Sequence, residues 1–204
     1  MSTPDGHKQA GISLIELVMF IVIVGVAVVG ILSVMNITTK SSADPIVRKQ
    51  ALAIAESLLE EIELMPFTFC DPDDPNASLA TTIDSTFCTG GANGANDEST
   101  LPLGPETAAS VGGAEGRYVS SRFDNVTDYN GFLMSAGPGA IKDITGGAIA
   151  GLDAYTASVT ITQAGTAPFA LPNADVLQID VRVQSGAADI TLTGYRFRYA
   201  PNSL

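Results

Sequence analysis

Gly11-Ile12-Ser13-Leu14-Ile15-Glu16-Leu17-Val18-Met19-Phe20, continued by an almost unbroken apolar run through Val34 and Met35, is the stretch that decides how the rest of the chain is arranged. Glu16 is its only charge. A helix over Ile12 to Met35 would be about 36 Å long at about 1.5 Å per residue, enough to cross a hydrocarbon core of about 30 Å with some tilt. A secretory signal has a shorter apolar region, about 7 to 15 residues, ending in a small-x-small cleavage site. The length therefore predicts a membrane-spanning helix. A carboxylate inside such a helix costs a few kcal/mol unless it is paired, so Glu16 calls for a cationic partner.

Downstream, Asn36 to Ser42 is polar and marks the expected exit from the membrane. Asp44-Pro45 reads as a helix start, with Asp44 as N-cap and Pro45 in the first helical position, where its missing donor is not needed. Val47, Ala51, Ala55, Leu58 and Ile62 then recur at spacings of three and four. This stripe predicts an amphipathic helix lying on a sheet, with Gln50, Glu56, Glu60 and Glu63 on its solvated side. Pro66 ends the pattern. Phe67 to Glu115 is rich in Asp, Asn, Gly, Pro and Thr and is expected to be irregular, ordered by turns rather than by a core.

The period changes to two after Arg117. Tyr118 to Phe123 reads as a first strand; Tyr155, Ala157, Val159 and Ile161 alternate cleanly, as do Leu177, Ile179, Val181 and Val183; Ile190 to Tyr199 returns as the last strand. Alternating strands joined by short Gly-containing turns imply an antiparallel sheet with one buried face, which the helix stripe would cover. Gly194 interrupts the last alternation and reads as a bulge. The expected class is α+β: a long N-terminal helix, half transmembrane and half amphipathic, on a small antiparallel sheet. The 204 residues leave room for this helix and one globular domain.

Gly11-Ile-Ser-Leu-Ile-Glu16, behind the short polar leader of residues 1–11, resembles the type III signal of type IV pilins and pseudopilins. Four further segments, Ser42 to Glu56, Pro66 to Pro75, Arg122 to Gly131 and Gly194 to Pro201, are similar to the minor pilin-like proteins of the MSHA type IV pilus. The resemblance implies a pilin-like fold, cleavage by prepilin peptidase between Gly11 and Ile12, and methylation of the new amine of Ile12. Ile12 stands where phenylalanine is usual, and the family tolerates other apolar first residues. It also implies that Glu16 pairs with the α-amino group of Ile12, on its own or a neighbouring subunit. The implied organisation is a leader over 1–11, a transmembrane helix and membrane exit over 12–41, and a periplasmic or extracellular domain over 42–204. The implied partners are the inner membrane, prepilin peptidase, and the other major and minor pilins with their assembly machinery. A type II secretion pseudopilin and an adhesin or binding module at a pilus tip are the alternative functions.

Charge alone gives a conflicting topology, since Lys8 precedes the span whereas Lys40, Arg48 and Lys49 follow it. Long domains translocate largely regardless of charge, so orientation follows from the resemblance. A net charge of -12 argues against a nucleic-acid partner, which needs a basic face. Cys70 and Cys88 are an even pair and, outside the cytoplasm, read as one disulfide; two free structural thiols are the alternative. Asp71, Asp73, Asp74 and Asn76, and again Asn93, Asn96, Asp97 and Glu98, offer closely spaced oxygens, making the first three acids weak calcium candidates. The spacing lacks the bidentate glutamate of an EF-hand, and no metal or other cofactor is expected. The only histidine is His7, in the leader, so a mature chain starting at Ile12 could not form a histidine-based catalytic site. Gly137 to Lys142 lacks the Gly-Lys-Ser/Thr ending of a phosphate loop and reads as a turn. Tyr195, Phe197 and Tyr199 at strand spacing read as one packed face rather than a carbohydrate platform. No enzymatic activity is expected.

Overall fold

A computed structural model describes residues 13–204, without the side chains of residues 36–44. Gly11 and Ile12, the expected cleavage and methylation sites, lie outside the described residues. The chain is α+β and divides into two compact units, Met1–Pro45 and Ile46–Leu204.

Helix α1 is Leu14–Glu63. Its part in the first unit carries the apolar stretch Leu14–Met35, with a mean hydropathy of 3.1 and none of it buried. One correction concerns Asp44-Pro45: the backbone is helical on both sides of Pro45, so no helix begins there. Pro45 cannot donate to the carbonyl one turn earlier, which leaves a local gap in the helical hydrogen bonding. The boundary between the two units coincides with that residue.

In the second unit the helix is amphipathic as its stripe implies. Ala51, Ala55, Leu58 and Ile62 are buried, and Val47 packs at the edge of the same core. The helix ends at Glu63, where Leu64 N still donates to Glu60 O, and Arg196 Nη2 donates to the carbonyl of Met65 at 3.1 Å. No basic residue lies in the helix's own last turn, so a strand residue supplies the cation that a helix C-terminus favours.

The sheet has four antiparallel strands in the order β1 (Leu133–Met134), β2 (Thr156–Gln163), β3 (Val176–Ser185) and β4 (Ala188–Phe197). Ala157, Val159 and Ile161 on β2 lie directly opposite Val183, Val181 and Ile179 on β3. Those three in turn face Ile190, Leu192 and Gly194 on β4. These rows put the alternating apolar residues on one face, where they form a single core with the helix stripe. Each fully buried aliphatic side chain in it contributes about 1.5–3 kcal/mol.

Two expectations fail here. Tyr118 to Phe123 is not a strand: Val119 N bonds Gly116 O and Gly116 N bonds Ser121 O, so the segment closes on itself in turns and joins no ladder. The first strand is instead the two-residue β1. Gly194 is not a bulge either, because the β3–β4 register runs through it without interruption. A Cβ at that position would sit 2.3 Å from Glu63 Oε1 and 3.0 Å from Leu59 Cδ1. Gly194 therefore lies against the ends of Glu63 and Leu59 on the helix, and a side chain there would have to displace them.

Candidate functional site

Three features of the chain carry chemistry, one in the first unit and two in the second. In the first unit every described side chain from Ser13 to Met35 is exposed, including Glu16 in the first turn of the helix. An apolar surface this long has no stable place in water. It can serve as a membrane anchor or as a signal sequence.

In the second unit, the helix and the loop after residue 115 are joined by a cluster centred on Glu61. Arg117 Nε and Nη2 donate to Glu61 Oε1 and Oε2 at 2.7 and 2.6 Å, and Tyr129 Oη donates to Oε1 at 2.7 Å. Burial alone would raise the Glu61 carboxyl, but the hydrogen bonds from Arg117 and Tyr129 and the guanidinium charge outweigh it and hold the group below its ordinary value. Burial and the hydrogen bond to Glu61 push the Tyr129 hydroxyl up. Such a carboxylate is a poor proton shuttle near neutral pH. The cluster is a clamp between helix and loop. It lies in the wall of an 840 Å³ groove beside the helix, lined also by Ile54, Leu58, Leu64, Ile141 and Ile149.

The third feature is the irregular region, which is tied together by a disulfide. Cys70 and Cys88 are bonded, and Cys70 also bridges Asp97 across an antiparallel pair in which Asp71 N donates to Asn96 O and Glu98 N to Phe69 O. This pairing, together with the 3-10 turn Thr127–Tyr129, draws acids from four segments together. Asp71, Asp73, Glu115 and Asp124 offer carboxylate oxygens that all lie within 4.8 Å of one another. Glu98, Glu106 and Asp128 form a second such group, entirely buried. The charge of Glu106 acts on both Glu98 and Glu115 and so links the two groups electrostatically.

Burial, reinforced by the neighbouring acids, pushes Glu115 up to about 10, Asp124 up to about 7 and Asp71 up to about 6. Burial likewise raises Glu98 and Asp128 well above the usual carboxylate range, reinforced for Glu98 by Glu106 and the Asp128 charge and for Asp128 by the Glu106 charge. Glu98 accepts from Thr127 Oγ1, and Asp128 Oδ2 accepts from the backbone N–H groups of Asp124 and Asn125 at 2.9 and 2.7 Å. Among the described residues the salt bridges are Arg117–Glu61 and Arg182–Asp189, and neither reaches these acids.

Of the three weak calcium candidates, Asp71 and Asp73 meet in the first group and Asp74 does not. Asp74 instead orders turns, accepting from Asn76 N and Thr89 N at 2.8 and 2.7 Å. Asp97 does the same for Asn93, Ser99 and Thr100. Glu106, Glu115, Asp124 and Asp128 carry no signal in local spacing, since they meet the others only through tertiary folding. Gly137 to Ala140 is a surface turn, with Gly139 N donating to Asp153 Oδ1 at 2.8 Å. Tyr195 and Phe197 stand on the outer face of β4 with Phe169 edge-on to both, and Tyr199 is largely exposed.

No family model, no curated protein and no solved structure matches this chain.

Proposed function

We propose that the chain is a minor pilin-like structural or assembly subunit of an MSHA-type type IV pilus. It is inserted in the inner membrane as a single-pass prepilin with its C-terminal domain in the periplasm, and it enters the filament or its initiating complex after processing. In this reading prepilin peptidase cuts after Gly11, Ile12 becomes the methylated N-terminus, and Glu16 pairs with an Ile12 amine in the helix bundle. The role is structural and no reaction is assigned to the chain.

The observation that carries the reading is the exposed apolar helix with a single acid, Glu16, in its first turn, joined in sequence to an α+β unit whose sheet is covered by the next part of the helix. An anchor alone needs no acid there, because an unpaired carboxylate only lowers the stability of insertion. A helix that must pack among identical helices gains from it, since a paired amine fixes register and satisfies the charge once water is excluded. The disulfide supports export to an oxidising compartment.

Purification of surface filaments and of membrane-embedded pilin complexes, followed by mass spectrometry, tests the assignment. The chain should be recovered with other pilin subunits in one of the two. Its absence from both, while it remains abundant in the membrane, would rule the reading out.

A further inference from the structure

Seven carboxylates are gathered in and just beyond the irregular region, and among the described residues no salt bridge reaches them, although buried charges are ordinarily paired or metal-bound. The two groups differ in a way that assigns them different roles. In the buried triad Glu98, Glu106 and Asp128 bring carboxylate oxygens within 4.8 Å of one another with all three residues buried, a place where three ionised carboxylates repel strongly. The triad keeps two orphan oxygens, Glu106 Oε2 and Asp128 Oδ1, but it is closed to solvent, and Thr127 Oγ1 donates to Glu98 while two backbone N–H groups donate to Asp128 Oδ2.

The other group is open to solvent on one side and unsatisfied on the other. Asp73 is exposed and provides a path in, whereas Asp71 is fully buried. Asp71 Oδ1 accepts from Asp73 N at 2.6 Å, while its buried Oδ2 has no protein partner. Both oxygens of Glu115, and Oδ1 of Asp124, are buried and unpartnered as well. The wall beside Asp73 is bare backbone: a Cβ on Gly112 would stand 2.4 Å from Asp73 Oδ2. Four carboxylates thus bring oxygens within 4.8 Å of one another, and Asp71 Oδ2, both Glu115 oxygens and Asp124 Oδ1 receive no hydrogen bond there.

We infer that Asp71, Asp73, Glu115 and Asp124 form a binding site for one divalent cation of the calcium class. Calcium takes oxygen ligands at about 2.3–2.6 Å, so oxygens on opposite sides of the ion are about 4.6–5.2 Å apart. The separation of at most 4.8 Å among the four donors fits within that sphere. Water entering past Asp73 completes the six to eight ligands that calcium takes. Magnesium is smaller and needs a near-ideal octahedron, which four acids from three distant segments do not provide. The charge of the ion would also offset the burial that raises Asp71, Glu115 and Asp124. Because the four ligands come from the segment after Phe69, from Glu115 and from the loop before Thr127, the ion would pin the disulfide-bonded region to the rest of the second unit.

The full-length protein in detergent, stripped with a chelator and then titrated with calcium chloride or magnesium chloride, provides the test. Equilibrium dialysis should show one calcium retained per chain. The thermal midpoint should rise by about 5–10 °C when calcium is present at about 100 times its Kd, with little response to magnesium. Asp124→Asn and Glu115→Gln should each weaken calcium binding at least about tenfold, while Glu98→Gln in the triad should leave it within about threefold. No retained calcium and an unchanged midpoint in the wild-type protein would overturn the inference. So would an equal response to magnesium, or calcium binding indifferent to both ligand variants.

Discussion

Arg117 and Glu61, 56 positions apart in sequence, form a two-pronged ion pair at 2.6 and 2.7 Å with side chains only 5% and 12% exposed. The pair ties the amphipathic helix to the loop that follows the irregular region, and Tyr129 completes it from a third segment. Removing one partner of a pair this buried leaves a charge with nothing to answer it. Arg117→Leu should therefore destabilise the second unit by about 3 kcal/mol or more, measured by chemical denaturation of the full chain in detergent.

The same pair sets a pH dependence. Glu61 titrates below its ordinary value when folded, so its stabilising contribution is complete above the unfolded carboxyl range and is lost as pH falls through the lower folded value. The stability gap between wild type and Glu61→Gln should be constant near neutral pH and should shrink as pH drops below about 4.5. A gap that widens on acidification would contradict the clamp.

Gly194 tests the approach of the helix to β4. Gly194→Ala meets the movable ends of Glu63 and Leu59 and should cost under about 1 kcal/mol, whereas Gly194→Val has to push the helix away and should cost about 1–3 kcal/mol. Equal, negligible costs for both would mean that the helix can be displaced freely there.

The disulfide closes a segment with few core residues; its own small cluster is Cys70, Cys88 and Ala77, with Phe69 against it. Replacing both cysteines with serine should cost about 3 kcal/mol, the entropy of a loop of this length in the unfolded chain. Peptide mapping without reductant should recover the linked Cys70–Cys88 peptide. Free thiols on protein taken from the cell envelope would count against export.

What could be read from the sequence was what repeats along it. The stripe from Val47 to Ile62, the alternation in Tyr155–Ile161 and Leu177–Val183 and the return over Ile190–Tyr199 gave the helix, three of the four strands and their common face, because periodicity of 3.6 or 2 is a local property of the chain. The pairing of Cys70 with Cys88 followed from there being only two cysteines. Tyr118 misled: it belongs to an apolar alternation, yet its hydroxyl bonds Arg117 Nη1 and Met134 Sδ, contacts that hold the segment in turns. Glu61 goes unmarked beside Glu60 and Glu63, which are expected on the solvated side, and its partner Arg117 stands at the start of the stretch misread as a strand. The acidic group was half visible, in Asp71 and Asp73. Glu115 and Asp124 join them only because the Cys70–Asp97 bridge and the Thr127–Tyr129 turn bring distant chain together, which no spacing encodes.

Glu16 separates assembly from insertion. Glu16→Gln keeps the shape and hydrogen-bonding capacity and removes the charge, so membrane abundance and cleavage should stay normal while co-purification of pilin partners falls; Glu16→Ala should lose as much or more. Partner recovery equal to wild type at equal abundance would mean that Glu16 is only a tolerated interfacial acid.

Mass spectrometry of the protein isolated from its native membrane tests the central claim most directly. The account predicts a mature N-terminus at Ile12 carrying one N-methyl group, and an uncut precursor when Gly11 is replaced by a bulky residue. A chain that begins at Met1, or one cleaved after Met35, would contradict it.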